Sequence, residues 1–495
     1  MDESLFQSIL KKSLQGDLRG RITGTDVSNH IKSPYITYCN AFVESSEKDP
    51  TSSYVKLLAD LGIDHENQVI EERFDDPVEL IYDDQINGFK QVIEHMAGGS
   101  NQISNAPLLY LPEKLICNID ILEKQTTQNS LFGNYHYVIN EIKVAKDIKE
   151  YHIYQALFYN KILGIIQNYT PEFVYIIDNK GDVTEYRYSD YEEKLDMILN
   201  QIKDIRAGTF QPIPVYNGIS TPWSNYANKM AQEMQDVSCL IDVGPSMQDK
   251  LHNHNIYTIN DVFNADISKL TSIPGIGKTK ATAYKLHADA ILNNKRIKLG
   301  ETSLKRHEFE IFIDFEGVDP ITAPAELGSY DYLFGVITRD KDDKIIFYPF
   351  FIDNPEDINE VKNIFTQFLD LLESNKDAPI YHWHSYEKTR MKLCFDKFAL
   401  PHEKNQVLSR FIDLYREFKS TWVFPISSLS IKYVAVDLGF KWTDSQFDGQ
   451  EAIAKYIEYL EDKESKTEIK DKIIQYNKDD ILALIHILDW MVQNR

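Results

Sequence analysis

The feature that most constrains this chain is an apolar, β-prone run that contains two carboxylates, Glu310–Gly317 (EIFIDFEG). Asp314 and Glu316 stand two residues apart, and in a β-strand such residues point to the same side of the sheet. Two neighbouring carboxylates repel each other, and a divalent cation is the usual partner that offsets their charge. The run therefore predicts a strand that presents an acid pair to a metal.

Length and composition limit the class of protein. The chain has 495 residues, enough for two or three domains, and its hydrophobic content of 43% is typical of globular proteins. It has no apolar run of about 18 residues, its N-terminal residues lack a signal-peptide layout, and its four cysteines form no CxxC pair. We therefore expect a cytoplasmic protein with no membrane partner, no disulfide framework and no zinc site.

The distribution of charge is uneven. The net charge of −23 argues against nucleic acid as a partner of the whole surface, because nucleic-acid binding depends on neutralising phosphates. Residues 271–300 are an exception, since one acid, Asp289, is outnumbered there by basic residues: Lys278, Lys280, Lys285, Lys295, Arg296 and Lys298. A local basic surface is enough to hold a phosphate backbone, so this segment is the expected place of contact.

The pattern divides the chain into three segments. Residues 1–210 end in a predicted helix over 191–206, and the Pro- and Gly-containing stretch 211–218 is typical of a linker. Residues 222–295 are helical in pattern. In residues 305–495, predicted strands and helices follow in the order strand 309–317, strand 332–338, strand 344–352, helix 355–374, strand 379–383 and helix 386–398. This order predicts a multidomain α/β protein whose last segment has a mixed sheet with an antiparallel start.

A second acidic motif lies near the C-terminus. Tyr476 and Asp480 are four residues apart on a predicted helix and share one of its faces. Together with Asp314 and Glu316, this order resembles the DEDD exonucleases, and residues 305–495 resemble the YprB-type branch of the RNase H-like superfamily. The resemblance implies a site with two divalent metal ions, Mg²⁺ or Mn²⁺, in which Tyr476 orients the attacking water.

The resemblance also implies a further carboxylate ligand. It falls on Glu387 in the stretch His382–Glu387 (HWHSYE), where the family usually has Asp. Asp413 is a competing candidate for this role, and Asp479 competes with Asp480. The Tyr-plus-four spacing favours Asp480 over Asp479.

A separate constellation precedes the linker. A predicted strand over 115–123 contains Asp120, a second over 135–143 presents Glu141 and Lys143 on one face, and a helix carries Gln155 and Tyr159. This order resembles the RecB-like branch of the PD-(D/E)xK nucleases, which have a restriction-endonuclease fold. The resemblance implies that Asp120 and Glu141 bind metal. It also implies that Lys143 orients or activates water and balances phosphate charge, and that Gln155 and Tyr159 align the scissile strand.

The stretch 31–39 resembles the opening helix of RecB-like nucleases. Several of those proteins hold an iron–sulfur cluster with one early and three late cysteines, and this chain lacks the late group. We therefore expect no cluster, and we expect Cys39 to be a small buried residue.

The basic segment contains a glycine-rich turn. Ile273–Gly277 (IPGIG) precedes an amphipathic run over 281–292 and resembles a helix-hairpin-helix, with a weaker copy over 243–251. Gly275 and Gly277 would let backbone amides approach a phosphate, while Lys278 and Lys280 add charge without base specificity. The alternative is a hairpin that only packs one domain against another.

The three segments in this order resemble RecB-like nucleases with a C-terminal YprB-type domain. The resemblance implies metal-dependent hydrolysis of DNA by a 3′–5′ exonuclease-type C-terminal site, which trims ends, and by a RecB-like N-terminal site, which cuts single strands or flaps. No helicase motif is present in the sequence, so any unwinding partner would be a separate protein. Two alternatives stay open: an exoribonuclease that processes RNA, and a nucleic-acid-binding scaffold in which one or both sites are inactive.

Overall fold

A computed structural model of the chain describes residues 3–219, 222–323, 328–398 and 403–495. The chain forms two compact units, one of residues 1–50 and 58–227 and the other of residues 51–57 and 228–495. Within the described ranges, no helix combines the length and the apolar character needed to cross a membrane.

The first unit is built on a six-stranded sheet whose strands lie side by side in sequence order. They are β1 (Val78–Glu79), β2 (Gln102–Tyr110), β3 (Leu115–Gln125), β4 (His136–Ile142), β5 (Phe173–Ile177) and β6 (Val183–Arg187). The helices are α1 (Glu3–Ser13), α2 (Gly24–Lys32), α3 (Pro34–Phe42), α4 (Ser53–Arg73, counted with this unit from residue 58), α5 (Gln85–Gly98), α6 (Glu150–Gln167) and α7 (Glu192–Arg206).

The centre of this sheet explains where its acids lie. β4 pairs antiparallel with β3 and parallel with β5, and every one of its residues is buried. A strand covered on both faces is expected to be apolar along its length, so a carboxylate such as Glu141 is exceptional there. The helix α6 packs its apolar residues, including Leu157 and Phe158, into the same core.

The stretch that was predicted as one opening helix is two helices, so that prediction is wrong. α2 ends at Lys32 and α3 begins at Pro34, because Ser33 has an extended backbone and its hydroxyl caps the Tyr35 amide. Proline favours the first position of a helix, since its ring removes an amide that would be unpaired there. Cys39 is completely buried, as expected, and burial raises the pKa of its thiol to about 12.

The second unit begins with short helices and continues into a layered α/β domain. The first helices are α8 (Ser224–Glu233, counted with this unit from residue 228), α9 (Pro245–His252), α10 (Ile259–Asn264), α11 (Ile267–Thr271) and α12 (Lys278–Leu292). The strands are β7 (Ile297–Lys298), β8 (Phe309–Val318), β9 (Tyr330–Asp340), β10 (Ile345–Phe351), β11 (Ile380–His382), β12 (Phe411–Asp413) and β13 (Trp422–Val423). The remaining helices are α13 (Ile358–Ser374), α14 (Tyr386–Phe398), α15 (Lys404–Ser409), α16 (Leu414–Thr421), α17 (Ile431–Asp437), α18 (Gly449–Glu461) and α19 (Thr467–Gln493).

The main sheet of this unit has the order β10-β9-β8-β11-β12. Its first three strands are antiparallel, and β11 and β12 run parallel to β8, so the predicted mixed sheet with an antiparallel start is confirmed. Alternate residues of β8 enter different cores: Ile313 packs with Phe365 of α13, whereas Phe312 packs with Leu484 of α19. By the two-residue period of a strand, Asp314 and Glu316 belong to the face covered by α19.

A buried histidine joins α12 to the layered domain. The Nδ1 atom of His287 accepts a hydrogen bond from the Ile241 amide at 3.0 Å, and its Nε2 atom donates to the Ile426 carbonyl at 3.0 Å. Burial lowers the pKa of His287 to about 4, so the ring is neutral near pH 7. The two bonds therefore fix one tautomer and hold the helix in place.

We predict that His287 makes the stability of the second unit depend on pH. Its folded-state pKa of about 4 lies below the pKa of about 6.5 that histidine has in an unfolded chain, so the unfolded chain binds the additional proton and stability is lost as the pH falls from about 6.5 to about 4. The full loss is about 3 kcal/mol. Urea unfolding should show a larger decrease between about pH 7.5 and pH 5 for the wild type than for His287→Gln.

The matched control for this prediction is His254→Gln. His254 lies in the same unit, and its Nδ1 atom donates a local hydrogen bond to the Lys250 carbonyl at 2.7 Å, so this variant should keep the wild-type pH dependence. An equal decrease in His287→Gln and the wild type would contradict the assignment of the effect to His287.

Candidate active sites

Three carboxylates converge in the second unit. Asp314 and Glu316 extend from β8, Asp480 extends from α19, and one oxygen of each lies within 4.8 Å of the oxygens of the other two. Such a set of hard oxygen ligands suits Mg²⁺ or Mn²⁺ rather than a softer metal.

The electrostatics of the three carboxylates favour a bound cation. Burial raises the pKa of Asp314 and of Glu316 well above the ordinary range, and repulsion from neighbouring carboxylates adds to the effect. Burial also raises the pKa of Asp480 to about 6, although contacts with Trp442, Tyr476 and Lys432 oppose the change. The donors therefore fit a divalent ion, which would supply the positive charge that this cluster needs.

Asn477 holds the first of these acids in place. Its Nδ2 atom donates to a carboxylate oxygen of Asp314 at 2.8 Å and to the Asp314 carbonyl at 3.1 Å. Gly335 pairs with Asp314 across the sheet, and a Cβ atom at Gly335 would lie 1.7 Å from the Asn477 side-chain oxygen. The absence of a side chain on β9 therefore makes room for the residue that orients Asp314. The sequence offers one sign of this arrangement, a glycine inside an apolar strand.

Glu387 lies near the cluster but is not one of its three members. It is at the start of α14, is 4% exposed, and has an oxygen 3.4 Å from His382 Nδ1. Its charge contributes to the raised pKa values of Asp314 and Glu316. Neither that Glu387 oxygen nor His382 Nδ1 has a hydrogen-bond partner in the described ranges, so a buried acceptor remains available beside the cluster.

The two competing acids accept hydrogen bonds from other parts of the chain. Asp413 caps α16 by accepting from the Arg416 amide and also accepts from the His384 amide, at 3.3 and 3.0 Å. Asp479 accepts from the Thr443 amide at 2.7 Å and from the Gln475 side chain at 2.8 Å. Neither belongs to the three-carboxylate cluster.

A tyrosine and a lysine complete the surroundings of the cluster. Burial, followed by repulsion from Glu316, raises the pKa of Tyr476 far above its usual value, so its hydroxyl keeps its proton. Lys432 of α17 has its Nζ atom 5.0 Å from the centre of the Tyr476 ring and donates to the Phe447 carbonyl at 2.7 Å. Its charge lowers the pKa values of Glu316 and Asp480. The sequence pattern gives no sign of Lys432, because only the fold places α17 beside α19.

The acids of the first unit also meet. A carboxylate oxygen of Asp120 on β3 accepts from the Ile142 amide at 2.7 Å. Lys143, one residue beyond β4, places its Nζ atom 2.6 Å from Glu141. The other oxygen of Glu141 is buried without a hydrogen-bond partner among the described residues. The structure thus brings Asp120, in the middle of β3, together with Glu141 and Lys143 at the end of β4.

Charge in this second cluster is partly balanced by the lysine. Burial, followed by repulsion from Asp120, raises the pKa of Glu141 to about 8. Burial alone would lower the pKa of Lys143, but attraction to Glu141 and Asp120 outweighs it, and the pKa is raised. Lys143 therefore remains charged at neutral pH.

The predicted helical pair lies beside these residues. The Gln155 side-chain amide donates to the Tyr159 hydroxyl at 2.6 Å, and the Ser28 hydroxyl donates to Gln155 at 3.3 Å. Burial and then the charge of Glu141 raise the pKa of Tyr159 well above its usual value, so the tyrosine is within electrostatic range of the cluster.

A third carboxylate of the first unit was not predicted from the sequence. Burial and then repulsion from Asp120 raise the pKa of Glu66 on α4 to about 7, while Lys143 opposes that change. Glu66 is therefore part of the same electrostatic cluster. The local sequence could not single it out, because α4 contains several other acids.

The glycine-rich turn is a tight connection between two helices. It connects α11 to α12, and Gly275 has φ +91°, a value that favours glycine. Gly277 caps α12 without a side-chain hydrogen bond, so no side chain satisfies the first amides of this helix through the cap. Lys278 is exposed at the first position of α12, and Lys280 follows with its Nζ atom 5.5 Å from the Tyr284 ring centre.

Comparison with known families identifies two parts of the second unit. Residues 311–492 match the RNase H superfamily model, and residues 241–288 match the model of a SAM-like helix-hairpin-helix tandem. A search of curated proteins gives no match to the chain. The first range contains the three-carboxylate cluster, and the second contains both the IPGIG hairpin and its weaker copy. The protein therefore carries a nuclease-type RNase H-superfamily domain together with a nucleic-acid-binding helix-hairpin-helix tandem.

Proposed function

We propose that the protein is a metal-dependent nuclease that hydrolyses phosphodiester bonds of DNA. The observation that carries the proposal is the convergence of Asp314, Glu316 and Asp480 within an RNase H-superfamily domain. The C-terminal site would trim 3′ ends, as in the YprB-type branch that this domain resembles. The first unit would form a RecB-like site that cuts single strands.

The residues that would hold metal at the C-terminal site are Asp314, Glu316 and Asp480, with Glu387 as the additional acceptor. Bound there, Mg²⁺ or Mn²⁺ ions would lower the pKa of a water molecule and neutralise charge on the phosphate. Asn477 keeps Asp314 oriented toward its partners through the 2.8 Å hydrogen bond.

Tyr476 and Lys432 have distinct tasks in this proposal. The hydroxyl of Tyr476 keeps its proton, so it can orient a water by hydrogen bonding but does not act as a base. Lys432 lies over the ring of Tyr476, and its charge acts on Glu316 and Asp480, so it can fix the ring and attract the phosphate group of a substrate.

In the first unit, Asp120 and Glu141 would hold a metal ion, with Glu66 as a third carboxylate. The raised pKa of Lys143 favours a role in neutralising phosphate charge over a role as a base. Gln155 and Tyr159 would align the scissile strand. Cation binding would also relieve the repulsion that raises the pKa of Glu141.

The test of the proposal uses 5′-labelled single-stranded DNA and RNA of the same sequence, incubated with the full chain and Mg²⁺ or Mn²⁺. Stepwise shortening of the DNA from its 3′ end is expected. If the RNA is shortened faster than the DNA, the proposed substrate is RNA instead of DNA. If neither strand is cut with either metal, the enzyme proposal fails and the binding-scaffold alternative takes its place.

The first prediction for this site concerns its central acid. Asp314→Asn should reduce end-trimming on the order of 100-fold or more, because it removes a charged ligand from the cluster. Asp413→Asn is the matched control and should retain trimming, since Asp413 caps a helix. Both are measured on 5′-labelled single strands. Trimming by Asp314→Asn at the wild-type rate would remove the C-terminal site from the mechanism.

The second prediction separates the two sites. Covalently closed single-stranded DNA has no ends, so only the RecB-like site should cut it. Lys143→Met should abolish this cutting and leave trimming of linear strands intact, whereas Asp314→Asn should do the reverse. The control, Lys149→Met, changes an exposed lysine near the site. Cutting of circles by Lys143→Met as fast as by the wild type would show that the first unit does not provide this activity.

The third prediction concerns Lys432. Lys432→Met should slow trimming about 10- to 100-fold, because the phosphate group loses a nearby positive charge. It should bind Mn²⁺ at least as tightly as the wild type, because a like charge next to the ions is removed. Trimming rates and calorimetric Mn²⁺ titrations test both parts, and Lys432→Arg should restore part of the rate. Loss of both activity and Mn²⁺ binding would indicate a purely structural role.

A further inference from the structure

The second unit contains a cavity of about 500 Å³ next to the hairpin helix. One wall is the face of α12 that runs from Lys278 to Leu286. The opposite wall consists of Leu299, Trp422 and Phe424, which lie at or beside the two-stranded ribbon of β7 and β13. A cavity of this size is large enough for a drug-sized ligand.

Fixed contacts hold the two walls together. The side chain of His287 bridges the Ile241 amide and the Ile426 carbonyl. In addition, the Tyr284 hydroxyl donates to the Asp242 carbonyl at 3.0 Å, and the Lys419 Nζ atom lies 2.9 Å from the Asp242 carboxylate. The cavity is therefore formed before any ligand arrives, and a ligand would not have to order its walls.

The lining combines two kinds of surface. Its interior is largely apolar and includes the partly buried Trp422, while three lysines belong to the lining and one acid, Asp242, opposes them. Two of these lysines, Lys278 and Lys280, begin α12 directly after the hairpin. The lining of the cavity is thus locally positive, whereas the whole chain has a net charge of −23.

A nucleotide within a single strand matches both surfaces. Its base has two apolar faces that stack on aromatic side chains, and its phosphates attract lysine. The position of the cavity also favours a nucleotide. Lys278 lines the cavity and is the first residue of α12, the helix terminus at which a phosphate is expected. An apolar peptide would fill the interior but would offer no negative charge to Lys278 and Lys280.

We propose that this cavity binds one unstacked base of a single-stranded nucleic acid, with the adjoining phosphates held by Lys278 and Lys280. The proposal rests on nucleic acid being the substrate of the proposed nuclease, and it deepens that function by adding a base contact to a hairpin that contacts phosphates alone. The protein should consequently distinguish a strand with bases from a bare sugar-phosphate chain.

The experiment compares two ligands of equal charge in the presence of EDTA, so that no cutting occurs. One is a labelled oligothymidylate of about 15 nucleotides, and the other is the same chain with abasic sites throughout. Ala283→Trp and Thr282→Trp each fill the cavity from an exposed position of α12. Asn293→Trp is the matched control, since it places the same ring at the far end of that helix.

Both cavity-filling variants should bind the oligothymidylate about tenfold more weakly, while their affinity for the abasic chain stays unchanged. The control should bind both ligands like the wild type. A double variant, Lys278→Glu with Lys280→Glu, should bind both ligands more weakly, and its affinity should depend less steeply on salt concentration.

Oligothymidylate binding that is unaffected by both tryptophans would overturn the proposal and leave the cavity to another occupant, such as an apolar peptide. An equal loss of affinity for the oligothymidylate and the abasic chain would overturn it as well, because the bases would then make no separate contribution to binding. Neither outcome depends on catalysis. A wild type that cuts no substrate would refute the proposed nuclease while the binding comparison still tests the cavity.

Discussion

Repulsion among three closely spaced carboxylates, two of them buried, is the constraint on which the second unit depends. Asp314 and Glu316 share one face of β8, and α19 adds Asp480 to the same small volume. Taking such charges out of water without a counter-ion is unfavourable, and the raised pKa values of all three acids reflect that cost. A fold that gained only stability would place apolar residues there. The arrangement is consistent with selection for a bound cation.

The close approach of α19 to the sheet follows from one missing side chain. Asn477 can reach Asp314 only because β9 has Gly335 opposite that acid, where a Cβ atom would overlap the asparagine. Glycine weakens a strand, so its presence inside β9 has to be explained by what it permits. Here it permits the hydrogen bond that fixes the direction of the first carboxylate. The strand, the helix and the site are thus linked by one contact.

The parts that could be predicted from sequence are those with a strong local period. The acid pair of β8 and the Tyr476–Asp480 pair of α19 could be located because a strand repeats every two residues and a helix about every four. The break at Ser33 was missed, since the capping hydroxyl and Pro34 interrupt a pattern that otherwise continues. Lys432 could not be found, because its place beside Tyr476 depends on the packing of two helices that are distant in sequence.

The two acidic sites differ in how they balance their charge. In the first unit, Lys143 forms a 2.6 Å ion pair with Glu141, so this cluster contains its own cation even without a metal. In the second unit, no lysine or arginine of the described ranges forms an ion pair with Asp314, Glu316 or Asp480. The C-terminal cluster therefore has no ion-pair partner of its own among the described residues, and a bound cation would supply the positive charge that it lacks. In the other cluster, Lys143 already supplies one positive charge next to Glu141, so less external charge would be needed to ionise its acids.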